Sequence, residues 1–273
     1  MSFTMGLVPP FGSSLLLAII QGLTEFLPVS SSGHLAATQL LWPSLSHPGL
    51  TLEVALHLGT TFAVVFYYRR LIVDLLIPSE KEPASLEGLS RRAWWRYLAM
   101  GSIPTAIIGL AAQDFIRGAF SDLRYIAVCL GITGVVLMAT RWVRGPDHPL
   151  TASRAIAIGT AQGLGVMPGI SRSGITISLA LMLGIPQGQA VTFSFLLSVP
   201  AVLGAALLDA RELLHGPFPP GILFVNIGFA TLCSGAIGYA CIGLVHRATR
   251  GSWWYRFAWY CWALAAVLGW LAR

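Results

Sequence analysis

Residues Gln21 to His34 read QGLTEFLPVSSSGH, which sets a carboxylate, an imidazole and a triplet of serine hydroxyls where the surrounding sequence is apolar. The apolar run leading into this stretch, Ser13 to Leu27, is about fifteen residues long, short of the roughly twenty needed to cross a bilayer's hydrocarbon. It stops at Pro28, and a second short run, Leu35 to Trp42, stops at Pro43. Two half-length runs about a Pro/Ser/Gly break predict a re-entrant helical hairpin. Such a break is tolerated at membrane depth only where its backbone is buried in protein or lines a cavity.

A second stretch, Gln162 to Thr176, reads QGLGVMPGISRSGIT. Shifted by 141 residues it matches the first at six of fifteen positions: Gln21/Gln162, Gly22/Gly163, Leu23/Leu164, Ser30/Ser171, Ser32/Ser173 and Gly33/Gly174. The short runs Ala155 to Met167 and Ile175 to Ile185 flank this second break just as the earlier pair flanks the first. The chain thus reads as two repeats, about 13–143 and about 154–271, within a single integral membrane domain covering residues 1–273.

Composition agrees. Of 273 residues, 55% are hydrophobic and 10% charged, against about 25% charged in soluble domains. That excludes a disordered chain. The net charge of +6 calls for no nucleic acid, since cationic loops on one side of a bilayer explain it. Cys129, Cys233, Cys241 and Cys261 all lie in apolar runs, so they read as small hydrophobes with no disulfide framework. The N-terminus shows neither a basic n-region nor a small-residue cleavage site, so no removable signal peptide is expected.

Full-length spans are expected over Thr51 to Tyr68, Trp94 to Ala112, Leu123 to Val143, Gln189 to Leu208, Gly221 to Val245 and Tyr255 to Leu271. The fold class is therefore an all-α polytopic membrane protein, with six transmembrane helices plus two re-entrant helix-loop-helix pairs in inverted-topology repeats. The inversion follows because each half holds three spans, an odd number. The polar stretch Pro78 to Arg92, with Glu80, Lys81, Glu82 and Glu87, is the one water-exposed loop of any length. Loops after the first, third and fifth spans hold twelve basic residues: Arg69, Arg70, Lys81, Arg91, Arg92, Arg96, Arg141, Arg144, Arg154, Arg247, Arg250 and Arg256. The opposite side holds four, Arg117, Arg124, Arg211 and Arg273. This bias puts the first set in the cytoplasm and both termini outside. Inverted repeats of broken helices bring their polar turns together near the midplane.

Five ionisable residues remain inside apolar stretches: Glu25, Glu53, His34, His57 and Arg172. Each costs about 2.5 to 3.5 kcal/mol at a helix centre on insertion scales, so the set is expected to face a shared polar site. Gln21 and Glu25 are four apart, as are Glu53 and His57, and each pair shares a helix face. A guanidinium flanked by Ser171 and Ser173, beside helix N-termini, suits a phosphate. A carboxylate four residues from an amide can hold a hard cation such as Mg²⁺ together with phosphate oxygens. A serine or a histidine there can attack phosphorus, with Arg172 and the cation spreading the charge. Inverted repeats with broken helices are also a transporter or flippase plan, in which Glu25, Glu53, His34 and His57 would form a proton relay.

With these residues in hand, the chain resembles the undecaprenyl-diphosphate phosphatase (bacitracin-resistance) family. Its members carry a (Glu/Gln)-x-x-x-Glu helix running into Pro-Val-Ser-Ser-x-Gly-His, and later Pro-Gly-x-Ser-Arg-Ser-x-x-Thr. Here these are QGLTEFLPVSSSGH and PGISRSGIT, in the same order, and the resemblance extends through FSFLLSVP at Phe193 to Pro200. The resemblance implies a hydrolase of the bacterial inner (cytoplasmic) membrane. It would remove the terminal phosphate of undecaprenyl diphosphate, recycling the lipid carrier for peptidoglycan synthesis and giving bacitracin resistance. It further implies a divalent cation, Mg²⁺ or Ca²⁺, an active site open to the periplasm, and a homodimer. By motif position Gln21 and Glu25 form the acidic pair, and Ser30, Ser31 and His34 the catalytic turn. Ser171, Arg172, Ser173 and Thr176 bind phosphate. Several members have Glu where this chain has Gln21, and an amide oxygen brings no charge. Metal binding therefore shifts toward Glu25, with Glu53 as support. The nucleophile is Ser31 or His34; a serine attacking at neutral pH needs an adjacent base, and His34 or Glu25 can serve.

Overall fold

Helix α1 (Phe11–Thr24) ends just ahead of Pro28, because the residue before a proline is pushed out of the helical region. After the turn, α2 (Ser31–Leu41) starts on the N-cap Ser30, whose Oγ accepts the Gly33 N–H, and stops at Trp42 ahead of Pro43. The structure, a computed structural model, describes residues 11–45, 51–77, 88–142, 148–213 and 221–273. The chain before residue 11 and the loop residues Glu80, Lys81, Glu82, Glu87 and Arg144 lie outside the described residues.

The other described helices are α3 (Thr51–Tyr67), α4 (Arg69–Leu76), α5 (Arg91–Ala111), α6 (Gln113–Ala119), α7 (Leu123–Ala139), α8 (Ala152–Leu164), α9 (Arg172–Met182), α10 (Gln187–Leu213), α11 (Gly221–Arg250) and α12 (Phe257–Leu271). Among the described residues there are thus twelve α-helices and no strand. Every run expected from the sequence is helical, and the ends move for local reasons. Ser90 caps α5 by accepting the Ala93 N–H, which draws Arg91 and Arg92 into the helix. Two short helices were not expected. Helix α4 buries Leu71 and Leu75, four apart, and exposes Arg69 and Arg70, so a stretch polar in composition is amphipathic in pattern.

Three segments are long and apolar enough to cross a membrane by length and composition: Leu123–Trp142, Gln187–Leu208 and Val225–Arg250. Phe11–Thr24 and Leu52–Tyr67 are apolar but shorter. Helix α5 opens on the polar sequence RRAWWR, and α12 is apolar but has only 15 residues.

Close approaches set the packing. Helix α1 packs on α11, α8 on α5, α3 on both α10 and α11, and α7 on α12. A Cβ on Gly22 would come within 2.8 Å of Ile237 in α11, and one on Gly163 within 2.8 Å of Ile108 in α5. The two QGL helices therefore use the same glycine for the same purpose, with the backbones packing where a side chain would hold them apart. Trp94 and Phe193, both fully buried, pack between α5 and α10 with ring centroids 6.1 Å apart.

Candidate active site

The two polar turns meet. Ser30 Oγ accepts both the Gly33 N–H of its own helix at 3.2 Å and the Gly169 N–H of the other turn at 3.1 Å. Ser171 caps α9 in the same way, accepting the Gly174 N–H at 3.1 Å. Ser173 Oγ donates to Leu27 O at 3.2 Å, back across the junction. Two backbone features permit this. Gly169 has φ +94°, and a Cβ on Gly33 would lie 3.0 Å from the Gly169 backbone. Ser30 itself has φ 67°, an uncommon conformation for a side-chain-bearing residue and one that clusters at functional sites.

This junction presents the N-terminal residues Ser31 of α2 and Arg172 of α9 to one carboxylate, Glu25. Ser31 Oγ donates to Glu25 Oε2 at 2.6 Å, and Gln21 Nε2 donates to the same oxygen at 2.9 Å. Arg172 Nη2 is paired with Glu25 Oε1. His57 Nε2 stands 3.7 Å from Glu25 Oε2, and its Nδ1 lies 2.9 Å from Glu53 O. The Glu25 side chain is 7% exposed, Arg172 21% and His57 28%. A nearly buried carboxylate is thus held by a guanidinium, a hydroxyl and an amide, the pairing that makes such burial tolerable.

All of these except Gln21 line one cavity of about 1020 Å³, whose polar end also holds Ser30, Ser32, Glu53 and Ser171. Most of the rest of its wall is apolar or small, Gly109, Leu110, Ile116, Phe120, Ala201 and Leu208 among others, with Ser102, Thr105, Gln113 and Gln162 as the polar exceptions. The cavity is therefore amphiphilic, with a polar end and a largely apolar wall. Thr105 and Gln162 form part of its wall. Thr105 Oγ1 donates to Gly159 O at 2.8 Å, and Gln162 Nε2 donates to Leu197 O at 3.0 Å, one turn before Pro200. The second glutamine thus serves packing where the first serves the carboxylate.

Four sequence-derived site residues, Gln21, Ser173, Thr176 and His34, do not line the cavity. His34 turns instead to α12. Its Nδ1 lies 2.8 Å from Ser30 O and its Nε2 2.7 Å from Tyr260 OH, with the two rings nearly parallel. Tyr260, in α12, carried no signal in the sequence, because a tyrosine near a span end reads as an interfacial anchor. Thr176 is buried and donates to Arg172 O at 2.8 Å. Ser173 is committed to Leu27 O as above, and Ser30 and Ser171 serve as caps. Glu53 Oε1 accepts from Gln39 Nε2 at 2.8 Å, a contact across fourteen residues that no periodicity announces.

Residues 14–267 match the family described as bacitracin resistance protein BacA. The chain belongs to that family. It is 39% identical over 269 residues to an undecaprenyl-diphosphatase of Syntrophotalea carbinolica, covering 94% of this chain and 97% of that one. It is 36% identical to one from Desulfosudis oleivorans, covering 93% and 96%. A relative of the same name from Korarchaeum cryptofilum is 34% identical, covering 91% and 94%. These relatives are named for hydrolysis, not transport. Family membership and the apolar helices together make this a multi-pass membrane protein.

Proposed function

We propose that the chain hydrolyses undecaprenyl diphosphate to undecaprenyl phosphate and inorganic phosphate, recycling the carrier lipid for peptidoglycan synthesis. The observation that carries this reading is Ser31 hydrogen-bonded to Glu25, itself paired with Arg172, at the polar end of a cavity whose remaining wall is largely apolar. The diphosphate enters that end and the prenyl chain lies along the apolar wall. Arg172 gives one N–H to Glu25 and has further donors for phosphoryl oxygens, and the N-termini of α2 and α9 add a favourable field for an anion.

In this mechanism Ser31 Oγ attacks the terminal phosphorus and passes its proton to Glu25. The bond from that phosphorus to the bridging oxygen breaks, and the lipid monophosphate leaves with the proton that Glu25 took, which frees the carboxylate again. Water then attacks the phosphoserine and gives a proton to Glu25; the bond from phosphorus to Ser31 Oγ breaks, Glu25 returns that proton to Ser31, and phosphate departs. His34, turned to Tyr260, positions the Ser30 turn.

A divalent cation, Mg²⁺ or Ca²⁺, fits these residues only together with the substrate. Among the described residues no three His, Cys, Asp or Glu side chains group to hold a metal, and Gln21 faces Glu25 with its amide N–H. Glu25 and Glu53 are the carboxylates of the cavity that would hold the ion, with diphosphate oxygens as its other ligands. When bound, it neutralises diphosphate charge.

The finer topology is part of the same proposal: six spans and two re-entrant pairs in inverted repeats, in the bacterial inner membrane, with termini and cavity mouth on the periplasmic side. Matching α1 to α8, α2 to α9, α3 to α10, α5 to α11 and α7 to α12 maps the main helix contacts onto one another, which supports the repeat. The basic-residue bias supports the orientation, and the family resemblance supports a homodimer.

Purified protein supplied with Mg²⁺ should release phosphate from undecaprenyl diphosphate in detergent and in liposomes, and Ser31→Ala and Arg172→Ala should not. EDTA should abolish release if the ion takes part. An inert wild-type protein under all these conditions would overturn the assignment.

A further inference from the structure

Ten residues beyond His57 on α3 stands Tyr67, about 15 Å along the helix from the cavity. There Tyr67, Gly243, His246, Arg247 and Arg250 line a separate cleft of about 290 Å³. Helices α3 and α11 run in the same direction, Gly59 meeting Thr231 and Ser234 at one level and Tyr67 stacking on His246 at another, with centroids 5.9 Å apart. The cleft lies between their C-terminal turns.

Its chemistry is cationic and unspent. Arg247 and Arg250 are both exposed, and neither pairs with a carboxylate among the described residues. The last-turn carbonyls do not occupy them either, since Arg247 O and Ala248 O accept the Gly251 and Trp253 N–H groups. His246 Nε2 lies 2.8 Å from Tyr68 OH, while its buried Nδ1 has no hydrogen-bond partner. Leaving such a buried atom unpaired is unfavourable. A Cβ on Gly243 would meet nothing within 4 Å, so the cleft has open room beside its floor. Arginines at a helix C-terminus complement the helix dipole, but that role neither needs a cleft nor leaves a histidine nitrogen orphaned.

An apolar strip continues from the cleft toward the level of the cavity. Phe66 packs at 5.8 Å from Tyr239, and both are exposed, as is Phe62 one turn further back. Arg69 stacks on Phe66 at 4.5 Å and adds to the cationic rim. Tyrosines beside arginines at the ends of apolar helices mark the interfacial layer of a bilayer.

We infer that this cleft binds the phosphate headgroup of an anionic membrane lipid, with Arg247 and Arg250 on the phosphate and the lipid chain along Phe66 and Phe62. It is a second lipid site, distinct from the cavity and independent of the catalytic reading. Delipidated full-length protein in neutral detergent, titrated with short-chain phosphatidic acid, tests it by calorimetry. Arg247→Gln with Arg250→Gln should weaken binding about tenfold or more, the equivalent of one charge-assisted bond. Gly243→Leu, which fills the cleft and leaves every charge in place, should do the same, while Arg172→Ala should leave this binding intact. Binding lost in Arg172→Ala but kept in the other two variants would place the phosphate in the cavity and overturn the inference. So would inorganic phosphate competing as strongly as the lipid, which would make this a site for a soluble anion.

Discussion

Ser31 Oγ sits 2.6 Å from Glu25 Oε2, joining two residues six positions apart across the first polar turn. Among the described residues the hydroxyl proton points to Glu25, while His34 is engaged by Ser30 O and Tyr260 OH. Glu25→Gln keeps the shape and removes the acceptor. It should lower kcat about 10²- to 10⁴-fold, the usual worth of a positioned base, with a much smaller change in KM. Ser31→Ala should fall at least as far. Phosphate release under saturating substrate checks both, and a Glu25→Gln enzyme as fast as wild type would remove the carboxylate from proton transfer.

Glu25 and Arg172 carry a second expectation, on stability. The carboxylate is almost buried and its guanidinium partner comes from the other polar turn. Removing one partner of a buried pair costs about 3 to 5 kcal/mol, because a charge is stranded. Arg172→Ala should therefore melt well below wild type, and adding Glu25→Gln should recover much of the loss. Thermal melts of the two single variants and the double variant in one detergent form the cycle. Additive losses would mean that the pair is not coupled.

Ser30 gives a third. It combines φ 67° with bonds to Gly33 and Gly169. Ser30→Ala loses both bonds and keeps a side chain in an unfavourable conformation. Ser30→Gly loses the same bonds but is at ease at positive φ. Loss of an N-cap alone costs about 1 kcal/mol, so both variants should melt below wild type, with Gly above Ala. The reverse order would show that backbone strain at Ser30 is negligible.

Much of this was legible in the residues, and the exceptions have physical reasons. Pro28, Pro43 and the Ser/Gly turns mark where helices stop, since proline and cap chemistry act within a few residues. Glu25, Glu53, His34, His57 and Arg172 announced a shared site through the cost of leaving charge in an apolar run; four of them line one cavity and His34 does not. What spacing could not reveal is direction. Periodicity says that residues share a face but not what that face meets. His34 thus turned out to face α12, and Gln162, the counterpart of Gln21, to bond Leu197 O in α10. Hydroxyl identity was equally ambiguous. A serine at a helix N-terminus reads alike as a phosphate donor and as a cap, and Ser171 is the cap of α9.

The last prediction concerns Gly22, identical in both repeats and outside the cavity. A Cβ there would lie 2.8 Å from both Ile237 Cβ and Ser234 O. The oxygen is backbone and cannot rotate away, so the substitution must part α1 from α11. Overpacking of this kind costs about 1 to 3 kcal/mol. The displaced helix also carries Gln21 and Glu25, so Gly22→Ala should lower both melting temperature and activity. Gly109 in α5 is the control: a Cβ there meets nothing within 4 Å. Within a helix, alanine is favoured over glycine by up to about 1 kcal/mol, and Gly109 lies in the last turn of α5. Gly109→Ala should therefore melt at or above wild type. If Gly22→Ala proved equally harmless, the α1–α11 contact would be looser than the glycine implies, and Glu25 would owe its position to Arg172 and Ser31 alone.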